Sequence, residues 1–122
     1  MQQHYAKVYG AQTSLLSPVI VSVETDITMR GMNSFTVVGL ADKAVEESRD
    51  RMSSAIKHLG FESPKAGMKK TVVSLAPADL KKEGPMFDLP IALSYLLAAG
   101  DIKSSVNFLW TANCVRCAGF CR

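Results

Sequence analysis

Val19, Val21 and Val23 take every second position of the stretch Pro18–Ile27, with Ile20, Ser22 and Glu24 between them. Such alternation sends one set of side chains to each face of an extended chain, so the segment reads as a strand with one face toward a core. A strand of this kind needs partners, and its surroundings supply them. Tyr5–Gln12 reads as a shorter strand before it. Phe35–Val38 follows the turn residues Arg30, Gly31, Asn33 and Ser34 and stops at Gly39, and the β-branched run Lys70–Leu75 predicts a buried central strand.

Two helices complete the pattern. Asp42 is placed to cap a helix whose apolar stripe is Val45, Met52, Ala55, Ile56 and Leu59, with Ser48 on the same side and Gly60 as its stop. Lys43 with Glu47, and Glu47 with Arg51, stand four residues apart and predict ion pairs on a solvated face. A second helix is expected from Asp88, which reads as its N-cap, with Pro90 in the first turn and Gly100 at the end. Strands before and between two helices, opening on an antiparallel-looking pair, predict an α+β fold, a two-layer α/β sandwich.

With 122 residues, 48% of them hydrophobic, the chain has the size and apolar content of one domain with a real core. The apolar run near Leu93–Ala99 is too short to cross a bilayer, and Met1–Tyr5 has no basic or apolar leader pattern, so the expected address is the cytoplasm. A net charge of +3 allows an anionic partner without requiring one.

Few residues invite chemistry. No glycine precedes the Lys-Ser/Thr pair of a Walker phosphate loop, so the chain is not expected to hydrolyse ATP. No Ser/His/Asp order suggests a triad. His4 lies at the start of the chain, and His58 falls in the last turn of the first helix, where the dipole favours it. Lys65, Lys69, Lys70, Lys81 and Lys82 lie in two loops that could meet at one end of the sheet. They are the candidate contacts to DNA phosphates, with solvated loop charge as the plainer reading. Cys114, Cys117 and Cys121 resemble a metal-binding spacing, but no fourth ligand lies nearby, and no metal site is expected there.

Two segments carry a family resemblance. Phe35-Thr-Val-Val-Gly-Leu-Ala-Asp, with Val45-Glu-Glu-Ser-Arg-Asp-Arg and Ser54-Ala-Ile, resembles one signature of the ComM/YifB family of magnesium-chelatase-like AAA+ ATPases. Leu75-Ala-Pro-Ala-Asp-Leu-Lys-Lys-Glu-Gly, with Phe87-Asp-Leu-Pro-Ile-Ala-Leu, resembles a second. The likeness covers residues 5–103 and implies a non-catalytic N-terminal domain of the ribosomal protein S5 domain 2-like, Lon-protease-like fold. It also implies a parent with an AAA+ ATPase domain as partner, hexameric, and engaged with DNA in branch migration during natural transformation. ATP and magnesium would belong to that ATPase domain, with no cofactor in this chain. A magnesium-chelatase subunit I-like component and a direct DNA-binding module are the alternatives. Lon proteases carry a nucleophilic serine in a Gly-Pro-Ser-Ala-Gly turn; here the stretch is Gly84-Pro85-Met86-Phe87-Asp88, and a thioether cannot form an acyl intermediate.

After Lys103 the resemblance stops, and residues 104–122 read as a non-family tail. Writing codons for Ser105–Arg122 and regrouping from each third base permits Gly-Glu-Leu-Ser-Leu-Asp-Gly-Glu-Leu-Arg, then two variable residues, then Arg-Gly-Val-Leu-Pro. That matches the strand with which family members continue. The tail therefore reads as an out-of-frame rendering of it, with the shift near Lys103–Ser104, and the fold is expected to lack its C-terminal strand. An encoding DNA with no such reading in the shifted frame would remove this explanation.

Overall fold

The computed structural model describes residues 4–14, 16–82, 85–103 and 109–111. The alternating segments pair as expected. Strand β1 (Tyr5–Ser14) and strand β2 (Ser17–Thr28) form an antiparallel hairpin in register from Tyr5 opposite Asp26 to Ser14 opposite Ser17. Strand β3 (Ser34–Val38) leads into helix α1 (Lys43–His58), and the chain returns as strand β4 (Lys70–Ala76), parallel to β3 and antiparallel to β2. A 3-10 turn at Pro85–Phe87 runs into helix α2 (Asp88–Ala99), followed by strand β5 (Leu109–Thr111). The sheet order is β3-β4-β2-β1-β5.

The period of two in β2 becomes a buried row, Val21, Val23, Thr25 and Ile27. Val8 of β1 and Thr71, Val73 and Leu75 of β4 extend that row across the sheet. Val45, Met52 and Ile56 from α1, with Ile91, Tyr95 and Leu96 from α2, are buried with them in one hydrophobic core. Glu24 and Ile20 point to the opposite face, where Lys7 Nζ lies 2.9 Å from Glu24 Oε1. The α+β, two-layer expectation holds. No helix among the described residues is long and apolar enough to cross a membrane.

Several local expectations change. Asp42 does cap α1, its Oδ1 accepting from the Val45 N–H at 2.8 Å, and Gly60 follows the helix with φ +85°. Ala55 and Leu59, however, are exposed, and Ser53 is buried in their stead with its hydroxyl donating to the Arg49 carbonyl at 2.6 Å. Asp88 is the first residue of α2 rather than its cap; Phe87 holds the cap position without a side-chain hydrogen bond. The fold was expected to lack its C-terminal strand; here a short strand, Leu109–Thr111, pairs in parallel with Tyr9–Ala11. The three cysteines lie outside the described residues.

Candidate functional site

The two signature segments meet each other. Gly39 and Leu40 end the β3 side of the joint, and the loop after β4 crosses them. The Lys82 N–H donates to the Leu40 carbonyl at 3.1 Å, and the Asp42 N–H donates to the Lys82 carbonyl at 3.1 Å. Ala41 and Lys82 thus form a one-residue parallel bridge. Gly39 has φ +110°, and a Cβ built on it would lie 2.1 Å from the Leu75 carbonyl oxygen, so only glycine lets β3 turn this close to β4. Leu40 itself has φ +49°, a conformation unfavourable for a branched side chain.

Lys82 is fully buried, and its ammonium donates to the Pro77 carbonyl of its own loop. Burial lowers its pKa from the ordinary lysine value, and the charge of Asp79 offsets part of that fall. On the other side of the joint, the Arg51 guanidinium spans the Asp88 carboxylate, Nε to Oδ2 at 2.8 Å and Nη2 to Oδ1 at 3.2 Å. Arg51 was expected to pair with Glu47 along its own helix; it ties α1 to the start of α2 instead. Lys43 and Glu47 do approach, at 4.0 Å. Met86, in the 3-10 turn before α2, is 40% exposed.

The candidate lysines do not gather. Lys65 and Lys69 precede β4 and Lys70 begins it, whereas Lys81 and Lys82 follow it, so a seven-residue strand separates the groups by roughly 20 Å. Lys65 is exposed and paired with Asp50, whose carboxyl it holds below the usual range. Lys70 and Lys81 are also exposed, the Lys81 carbonyl accepting from Gln12 Nε2 at 2.9 Å. Lys69 is buried, 3.1 Å from Glu62 Oε1 and 5.4 Å from the centre of the Tyr95 ring. Burial works against its charge, but hydrogen bonds with Tyr95 and Glu62 outweigh it and raise the pKa. Beside it a cavity of about 70 Å³ is lined by His4, Ile27, Met29, Glu62, Lys69 and others. His58 sits in the last turn of α1, as expected.

Sequence reasoning missed the interior use of Lys82 and the long-range use of Arg51.

This joint of two signature segments, on a mixed sheet with two helices, coincides with a family known by sequence. The profile of the family described as subunit ChlI of Mg-chelatase matches residues 23–114, from within β2 to beyond β5. The chain belongs to this magnesium-chelatase-related family, in its ComM/YifB branch. It is 40% identical over 100 residues to Competence protein ComM of Haemophilus influenzae, covering 82% of this chain and 19% of that protein. It is also 44% identical over 85 residues to the YifB protein of Escherichia coli, covering 70% of this chain and 16% of that protein. The chain therefore spans less than a fifth of the length of these relatives.

Proposed function

We propose that the chain is a non-catalytic N-terminal domain of a ComM/YifB-type, magnesium-chelatase-related AAA+ ATPase, acting in the cytoplasm in assembly or in the engagement of DNA. One observation carries the reading: three charged residues of the two signatures, Lys82, Arg51 and Asp88, are committed to a structural joint. Lys82 is buried under its own loop, and Arg51 and Asp88 are bound to each other. Met86 at the nucleophile position supports the absence of acyl chemistry, since a thioether has no proton to lose and forms no ester. The partner in this reading is the ATPase portion of the longer protein, with ATP and magnesium held there and a hexamer as the assembled form. A Lon-like, S5 domain 2-like ancestry fits the β3-α1-β4 unit and the helix-covered face.

Direct DNA binding through Lys65, Lys69, Lys70, Lys81 and Lys82 has less support, because two of the five are buried and the loops lie at opposite ends of β4. A ComM/YifB relative lacking its own matching segment gives the test. Added to it, this chain is expected to restore ring assembly on a sizing column, and DNA-dependent ATP hydrolysis with it. No association between the two would remove the proposal. Covalent labelling of the chain by a fluorophosphonate would show it to be catalytic instead.

A further inference from the structure

Two open clefts adjoin along α1 and the connector that leads from it to β4. One, of about 460 Å³, is bordered by Asn33, Phe35 and Arg49; the other, of about 590 Å³, by Ser54, Lys57 and Phe61. Both include Asp50 and Lys65, whose ion pair ties the helix to the connector across the groove. The connector is held in place by other bonds as well. Asn33 donates to the Lys65 carbonyl, the Tyr95 hydroxyl donates to the Glu62 carbonyl at 3.0 Å, and Pro64 is buried. The groove is thus formed before any occupant arrives. Its two carboxylates are taken, Asp50 by Lys65 and Glu62 by Lys69 at 3.1 Å. Arg49 and Lys57, one in each cleft, form no ion pair among the described residues; Arg49 donates only to the neutral Glu46 and Phe35 carbonyls. We propose that the groove takes an extended acidic peptide segment, with one carboxylate on Arg49 and a second on Lys57.

Charge and spacing together select the occupant. Arg49 and Lys57 lie on one helix, about 12 Å apart along its axis at the usual rise per residue. An extended chain advances about 13 Å over four residues, and residues four apart share a face. Acidic side chains at positions i and i+4 of a segment laid along α1 therefore match the two cations. Between these lie the small side chains of Ser53, Ser54 and Ala66, which leave room for a backbone, and the exposed Ser54 hydroxyl can bond it. The Asp50–Lys65 pair is more than half exposed on both sides, so parting it costs little and frees a third cation midway. Nucleic acid fits less well. A strand with a phosphate at every nucleotide would meet Asp50 and Glu62 as well as the cations. Phe35 and Phe61 pack against the core and offer no ring for a base to stack on.

The experiment titrates the intact chain into short peptides of serine and threonine that carry an uncharged dye and two glutamates. The glutamates stand two, four or six residues apart, and binding is read by fluorescence anisotropy. The spacing of four is expected to bind tightest, and to weaken as salt rises. Arg49→Gln and Lys57→Gln should each weaken it about two- to fivefold, as exposed ion pairs do, and the double variant by the product of the two. Arg49→Lys should keep most of the affinity, and Asp50→Asn should raise it by removing a competing carboxylate. Lys57 is exposed, so its variant reads the charge alone even where a change at Arg49 disturbs the fold. Equal binding at every spacing, no binding at any, or affinity untouched by Lys57→Gln would overturn the proposal. So would tighter binding of a labelled oligothymidine that the same variants weaken.

Discussion

Arg51 holds Asp88 from 37 residues away, through two nitrogens and both carboxylate oxygens. The contact joins the middle of one helix to the first turn of the other, where a carboxylate also meets the positive end of the helix dipole. Arg51 is about half exposed, so its share of stability is modest. Arg51→Ala and Asp88→Ala are each expected to lower the unfolding midpoint by a few degrees at most, Asp88→Ala more than Arg51→Ala. The double substitution should cost little beyond Asp88→Ala alone. Thermal unfolding of the four proteins, followed by circular dichroism, checks the cycle; full additivity would show that the two side chains act independently.

Lys82 and Lys69 should leave opposite marks on the pH dependence of stability. Burial lowers the Lys82 pKa, so the folded chain binds this proton less tightly than the unfolded one. Its penalty is present in full below the folded value and lifts as pH rises from there toward the ordinary lysine value. Lys69 and Tyr95 both have raised pKa values, and their stabilising share is lost as pH climbs past the unfolded values, near 10 for tyrosine. Urea midpoints measured from pH 7 to 11 should show Lys82→Met removing a rise on the alkaline side. Tyr95→Phe should delay the final fall. An unchanged profile in Lys82→Met would mean that the amine is solvated.

Gly39→Ala tests the close approach of β3 to β4. The added methyl would meet the Leu75 carbonyl oxygen at a distance no real Cβ adopts, and the positive φ would add strain. A loss of about 3 kcal/mol is expected from these mechanisms together. Gly60→Ala makes the control, because its φ of +85° is also strained but no atom lies within 4 Å of the new methyl. Urea unfolding should rank Gly39→Ala well below Gly60→Ala.

Thr25 and Ser94 share a buried hydrogen bond of 2.6 Å between their hydroxyls. The Ser94 hydroxyl donates to the Ile91 carbonyl at 2.9 Å, which leaves Thr25 as donor to Ser94. The pair is therefore unequal. Ser94→Ala strands the Thr25 hydroxyl in the core and should cost about 1–3 kcal/mol, whereas Thr25→Val leaves Ser94 bound to Ile91 and should cost about 1 kcal/mol or less. Equilibrium unfolding of both variants decides it, and equal costs would refute the assigned direction.

The strands and helices were legible because their signals are local. The valines of β2 alternate, Asp42 stands at the cap of α1, and Gly60 and Gly100 stand at the helix ends. The face of α1 was less legible. Alanine and leucine at Ala55 and Leu59 suggest burial, but the core reaches only as far as Ile56, and Ser53 enters it by bonding its hydroxyl to the preceding turn. The lysine loops failed for a different reason. Spacing along the chain does not say which end of a strand a loop occupies, and β4 puts Lys70 and Lys81 at opposite ends. Burial of Lys82 could not be read from a lysine at all, since it depends on Leu40 and Asp42 arriving from the other signature.

The hairpin and the joint also differ in when they can form. β1 and β2 zip from a tight turn, with little chain to close, so their pairing can start from local encounters alone. The bridge between Ala41 and Lys82 must bring together residues roughly forty apart, across the whole of α1 and β4. On loop-closure cost it is expected to form after the hairpin. Damage to the joint should thus leave the rate of folding nearly intact and shorten the lifetime of the folded chain, which is where proteases and aggregation act.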